Sequence, residues 1–262
     1  MTPPLFSLEG KAALVTGAGS PTGIGFAAAR MLAALGASVM VTSTTERIHE
    51  RAAEIRTEGY IAHGTFGDLT DEATVARIVE ETIAAFGSID ILVNNAGMTS
   101  VTESGEDEAG LAPALPYPLW RASIERNLDT VFLASRAAIP HMQRKGWGRI
   151  ISVASVTGPV MAMRHDPAYA AAKAAVVGLT RALAVDHAGD GITVNAVAPG
   201  WIETGSQTPN EKTEGLATPM GRSATPDEVA SAVAWLATPG AAYTTGQCLV
   251  VDGGNSIAEE RS

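Results

Sequence analysis

Tyr169 and Lys173 bracket the run YAAAK, inside an alanine-rich segment with helical spacing. On a helix, side chains at i and i+4 project from one face about one turn apart, roughly 5–6 Å at Cβ. An unperturbed phenol ionises near pH ~10, and an ammonium group beside it favours the phenolate, so this pair is expected to exchange protons nearer neutrality. Taken alone, the pair reads better as an aromatic packed on an alanine-rich helix next to a solvated charge. A second group of residues argues for chemistry.

That group is TGAGSPTGIG, residues 16–25, with four glycines between an apolar run at 12–15 and a helical stretch at 26–35. Glycine lets the backbone take positive φ and approach a ligand, while free N–H groups at a helix start attract anionic oxygens. A diphosphate suits such a turn. Gly17, Gly23 and Gly25 are the candidates for close approach, with Ser20, Thr22 and Ile24 as further contacts. An ordinary tight turn is the alternative, and the position after the first strand favours the ligand. The next apolar run ends VMVTSTTER, and in a dinucleotide fold the cofactor ribose lies over that strand end. An acidic side chain there would select NAD(H). Ser43 takes the expected acidic position, followed by Thr44, Thr45 and Arg47, so that position carries no charge to repel a 2′-phosphate. NADP(H) is therefore the favoured cofactor and NAD(H) the alternative, because threonines also suit a strand end and a helix N-cap.

The elements that must position these residues are legible as an alternation. Apolar runs begin at residues 12, 38, 91, 149, 192 and 248, and helical spacing covers 26–35, 46–58, 71–86, 118–144, 167–188 and 226–237. Alternating strand and helix predicts an α/β fold, a doubly wound parallel sheet with helices on both faces. Three segments break the rhythm, at 99–118, 156–167 and 204–219, and are expected to be substrate loops, the last resembling a flap. None resembles a linker, so residues 1–262 are read as a single domain.

Composition narrows the partners. With 262 residues and 46% hydrophobic content, the chain can fill one large core. Its 18 basic and 28 acidic residues give a formal charge of -10, which argues against nucleic acid and anionic membranes and for a small ligand. No run approaches the roughly 20 consecutive apolar residues of a membrane span, and MTPPLFSLEGK lacks signal-peptide features, so a cytoplasmic location is expected. Cys248 has no intramolecular partner and is expected to be a buried free thiol; the five histidines lack ligand spacing, so no metal is expected.

NNAG at 94–97, Asn127, Ser155, YAAAK at 169–173 and NAVAPGWIET at 195–204 follow the glycine turn in order. In this series the chain resembles the short-chain dehydrogenase/reductase family over about residues 8–254, with 3-oxoacyl-(acyl-carrier-protein) reductases closest in pattern. The resemblance implies a Rossmann-type sheet of about seven strands in a three-layer α/β/α arrangement, and a nicotinamide cofactor. It implies that Asp68, beside Leu69, accepts from the adenine amino group, and that Asn95, Ala96 and Gly97 flank the cofactor. Pro199, Gly200, Ile202 and Thr204 would hold the nicotinamide amide and the diphosphate. Tyr169 would exchange the substrate proton, Lys173 would also bind the nicotinamide ribose, and Ser155 would donate to the substrate oxygen. Ser152 lies on the same run, but VTG after Ser155 matches the family turn. Asn127 would hold, through its carbonyl, a water that links the lysine to solvent.

Two departures stand out. Five residues separate Gly17 from Gly23, two more than usual, and the interval from Ser155 to Tyr169 is one residue longer. The implied reaction is hydride transfer between NADP(H) and a ketone or secondary alcohol. Met98, Leu111, Leu115, Tyr117, Met161, Met163, Trp201 and Met220 on the three loops favour a hydrophobic substrate. An acyl-carrier reductase ranks second, because the helix after YAAAK carries Asp186 and Asp190 and only Arg181 to meet an acidic carrier. A non-catalytic NADP(H)-binding sensor or structural protein ranks last, because Ser155, Tyr169 and Lys173 are all present. The family also implies a homo-oligomer, tetramer or dimer.

Overall fold

The computed structural model describes residues 2–97 and 110–259; Met98 and the first part of the 99–118 loop lie outside them. Seven strands are all parallel: β1 (Ala12–Val15), β2 (Ser38–Ser43), β3 (Ala62–Phe66), β4 (Ile91–Asn94), β5 (Gly148–Val153), β6 (Ile192–Pro199) and β7 (Cys248–Val251). Their spatial order is β3-β2-β1-β4-β5-β6-β7, so the winding reverses between β1 and β4. Ligands of such sheets sit beyond the carboxyl ends of the strands at that reversal.

The helices are α1 (Ile24–Ala34), α2 (Ile48–Thr57), α3 (Glu72–Phe86), α4 (Tyr117–Ile124), α5 (Thr130–Lys145), α6 (Pro167–His187), α7 (Pro209–Leu216) and α8 (Pro226–Ala237). Side-chain alternation along the strands feeds two cores. Ala13, Val15, Val39 and Val93 pack with α1, α2 and α8, whereas Leu14, Met40, Leu92 and Ile150 pack with α3, α5 and one end of α6. The three layers follow from this two-residue period.

The central strands β1, β4, β5 and β6 are buried throughout, which is why they read as continuous apolar runs. Strand β3 differs. It lies at the sheet edge, reads AHGTF, and buries only Ala62 and Thr65, so no apolar run marks it. The helix expected over 118–144 is also divided. A π-helical turn at Glu125–Asp129, with Asn127 at its centre, separates α4 from α5.

The 204–219 segment contains α7, opened by a capping box in which Thr208 and Glu211 satisfy each other's backbone groups. By length and mean hydropathy, the stretch Pro167–Asp190 would meet the requirements of a membrane span. Here it packs on β6 and buries the side chain of Lys173. Cys248 is half-buried, less than expected, and burial pushes its thiol pKa up, so it stays a neutral thiol.

Candidate active site

The glycine turn is clamped from β4. The Thr16 hydroxyl donates to the Val93 carbonyl at 3.2 Å and accepts from the Asn95 and Ala96 N–H groups, each at 3.0 Å. The Asn95 side-chain amide donates back to the carbonyls of Thr16 at 3.0 Å and Gly17 at 2.9 Å. Asn95 therefore fixes the peptides of the turn instead of presenting its amide to a ligand. Thr16 is a structural clamp of the turn that the sequence reading does not single out; its one signal is a hydroxyl ending a buried apolar run.

Gly17 has φ +67, and a Cβ there would lie 2.7 Å from the Ala96 Cα. Gly17→Ala is accordingly expected to destabilise the protein by about 2 kcal/mol, through positive-φ strain and the forced parting of turn and strand. Urea unfolding measures this, and a loss below about 0.5 kcal/mol, the scale of ordinary surface substitutions, would contradict it.

The turn fits a dinucleotide diphosphate. The N-cap of α1 is Gly23, and no side chain caps the helix, so its first N–H groups are left for an anion. Gly25, next in the first turn, is buried against the Asn95 amide. Across the turn, Ser43 packs on Gly19, its hydroxyl donating to the Thr45 carbonyl at 2.9 Å, and the Arg47 Nε–H reaches the Thr45 hydroxyl at 3.4 Å. Thr44 is exposed on this rim. Beyond it, one Asp68 carboxylate oxygen accepts from the Thr70 N–H at 2.9 Å and the Thr70 hydroxyl at 2.8 Å, while Leu69 is buried behind.

The other wall is the end of β6. Pro199 pairs with Val251, the Gly200 N–H donates to the Val251 carbonyl at 3.0 Å, and Ile202 bridges to Ala224. The Thr204 N–H donates to the Ile202 carbonyl at 2.8 Å, and its hydroxyl meets that of Ser206 at 3.0 Å.

Ser155 lies just past β5 and accepts from the Thr157 N–H at 3.1 Å, whereas Ser152 is buried within the strand opposite Asn94 and Ala196. Tyr169 and Lys173 project from one face of α6, with Nζ 5.5 Å from the phenol ring centroid. Lys173 is only 3% exposed and donates to the Val153 carbonyl at 3.0 Å. Burial pulls its pKa down to about 8.

The surroundings of the phenol act on its pKa in both directions. Burial pushes Tyr169 up to about 12; the Ser155 hydroxyl beside it pulls the other way, and the carboxylates of Asp166 and Glu211 add to the rise. The lysine is turned to the Val153 carbonyl, so desolvation governs the phenol. Asn127 is fully buried, donates from its amide to the Ser123 carbonyl at 3.1 Å, and abuts Gly97, where a Cβ would lie 2.8 Å from its Oδ1. The π turn that carries it packs on α6.

A proton-exchanging pair beside a dinucleotide crevice is the equipment of a nicotinamide-dependent oxidoreductase. Comparison with known proteins agrees. The family model described as "Enoyl-(Acyl carrier protein) reductase" matches residues 17–256. Cis-4-hydroxycyclohexanecarboxylate dehydrogenase of Sinomonas cyclohexanicum is 41% identical over 248 residues, covering 93% of this chain and 96% of that protein. The 3-oxoacyl-[acyl-carrier-protein] reductase FabG of Escherichia coli (strain K12) is 41% identical over 252 residues, covering 95% of this chain and 98% of that one. The structure of a 7α-hydroxysteroid dehydrogenase complexed with NADH and 7-oxoglycochenodeoxycholic acid superposes with a TM-score of 0.89 at 31% identity, covering 99% of this chain and 100% of that chain. The chain belongs to the short-chain dehydrogenase/reductase family.

Proposed function

We propose that the protein interconverts a hydrophobic ketone and its secondary alcohol with NADP(H). The observation that carries this reading is the placement of Ser155 against Tyr169, with Lys173 one helical turn on and the glycine turn across the crevice. Bound nicotinamide would supply or accept a hydride at the carbonyl carbon. Protonated Tyr169 gives its proton to the carbonyl oxygen in reduction, and its phenolate, formed by passing that proton to solvent past Lys173, takes the proton of the alcohol in oxidation. Ser155 donates to the same oxygen as negative charge builds on it. Lys173 would hold the nicotinamide ribose and, through a water on the Asn127 carbonyl, exchange the proton with solvent.

Ser43, Thr45 and Arg47 support NADP(H) over NAD(H), because they offer hydroxyls and a guanidinium where a 2′-phosphate would lie. We expect kcat/KM at least about tenfold higher with NADPH than with NADH, which corresponds to about 1.4 kcal/mol. Steady-state kinetics at fixed ketone decides this, and a preference for NADH would defeat it.

A hydrophobic substrate is supported by the rims of the loops, where Leu111, Tyr117, Val160, Met163, Leu216 and Met220 stand exposed. The steroid dehydrogenase neighbour holds a ketone of that kind. A 3-oxoacyl-[acyl-carrier-protein] reductase is the second reading, favoured by the 41% identity to FabG. Against it stands the chain's formal charge of -10, the same sign as an acidic carrier. A ketone panel assayed by NADPH oxidation, with free and carrier-linked substrates side by side, separates the readings: the first expects free ketones to be reduced. Exposed Phe132, Val185, Leu249 and Val250 support a homo-oligomer, dimer or tetramer, and the reading includes a cytoplasmic location.

A further inference from the structure

The two extra residues of the glycine turn form a structure of their own. Gly23 donates its N–H to the Ser20 carbonyl at 3.2 Å, closing a turn with Pro21 and Thr22 at its tip. Pro21 stands where its fixed φ suits the turn. This carries Thr22 out to the far wall of the crevice, where its hydroxyl oxygen accepts from the Gly205 N–H at 3.0 Å. Gly205 lies between the end of β6 and α7, at the start of the flap. The approach is close enough that a Cβ on Gly205 would sit 2.6 Å from the Thr22 Oγ1.

The rest of the flap base is tied elsewhere. The Glu203 N–H donates to the Ala224 carbonyl at 2.8 Å, and the Gln207 side-chain amide donates to the Ser223 hydroxyl at 2.8 Å. Thr22 is thus the tie that crosses from the flap to the phosphate-binding side. A hydroxyl has one proton to donate and two lone pairs. Gly205 takes one lone pair of Thr22, and among the described residues no acceptor takes the proton.

We propose that Thr22 is a positioning residue that couples the flap to the cofactor: it accepts from Gly205 and donates its proton to a diphosphate oxygen at the start of α1. Occupancy of the diphosphate site then seats the flap, and the seated flap retards cofactor release. This rests on the dinucleotide reading above. The length of the turn is what lets one side chain touch both walls.

The test uses Thr22→Val, which keeps the shape and removes the hydroxyl, and Thr22→Ser, which restores it. Stopped-flow NADPH fluorescence gives the release rate, and hydrogen exchange of the peptide spanning 203–208 reports the flap with and without NADP+. Thr22→Val is expected to release NADPH about tenfold faster, the size of one to two ordinary hydrogen bonds, and to exchange the flap peptide faster even without cofactor. Thr22→Ser should return both to wild type. Gly205→Ala should reproduce the fast release and add little to Thr22→Val, as expected for two partners of one contact. Unchanged release and unchanged exchange in Thr22→Val, with wild type binding NADPH normally, would overturn the proposal. Failure of wild type to bind either NADPH or NADH would overturn the dinucleotide reading, and with it the coupling.

Discussion

Tyr169→Phe lowers kcat by about 10³-fold while leaving the NADPH dissociation constant within about twofold, because one positioned proton donor accounts for roughly 10²–10⁴ in rate. The substitution keeps the ring, which lies 5.5 Å from the Lys173 ammonium, so the shape of the cofactor seat is retained. What is lost is the acid. Burial raises the phenol pKa, so the wild-type phenol carries its proton at neutral pH, ready for ketone reduction. An alkaline fall in kcat/KM for ketone reduction is expected as Lys173 loses its ammonium with pH rising through about 8. Single-turnover and steady-state assays measure the first effect, and a pH profile the second. A Phe variant retaining a tenth of wild-type turnover would remove Tyr169 from its assigned role.

Lys173→Met is expected to abolish turnover and yet stabilise the cofactor-free protein at pH 7. The folded ammonium has a pKa of about 8 against an ordinary value of 10.5, so the unfolded chain binds the proton more tightly. Below pH 8 the folded protein therefore carries the full cost of burying the charge, about 3 kcal/mol, and the wild type gains stability as pH rises from about 8 to 10.5. Methionine removes that cost but leaves the Val153 carbonyl without its donor, a loss of about 1 kcal/mol. The balance, about 2 kcal/mol in favour of the variant, raises Tm by roughly 4–8 °C for a protein of this size. Thermal unfolding at pH 7 and pH 9.5 checks the sign, because the advantage should shrink at the higher pH. A variant less stable than wild type at pH 7 would show that the hydrogen bond outweighs the buried charge.

What the amino-acid pattern conveyed depended on burial. Five strands stood out because the sheet interior admits apolar side chains on both faces, as in ILVN of β4 and RIISV of β5, while β7 kept the run CLVV at the other edge with Leu249 and Val250 exposed. The edge strand β3, with His63 and Phe66 exposed, has no such constraint and left no apolar run. The π turn at Asn127 was illegible because it changes backbone pairing without changing the apolar spacing that marks 118–144 as helical. Helix α7 did carry a readable signal: Thr208, Pro209 and Glu211 form a capping-box pattern amid turn-forming residues. In the site, spacing placed Tyr169 and Lys173 on one face of a helix, as found. Spacing could not show the opposing pull of burial on the phenol, because the lysine's orientation and the depth of burial are tertiary facts. The role of Asn95 as a clamp is likewise a matter of distances, since NNAG names the residue without saying which way its amide turns.

The division of labour between Asn95 and Ser43 bears on retooling the enzyme. The phosphate seat is braced by Thr16 and by Asn95 at the end of β4, whereas the rim over the adenosine ribose is built from side chains at and after the end of β2. Exchanging the coenzyme is thus a task for the short stretch from Thr44 to Arg47, whose side chains make no hydrogen bond to the turn, whereas Ser43 packs on Gly19.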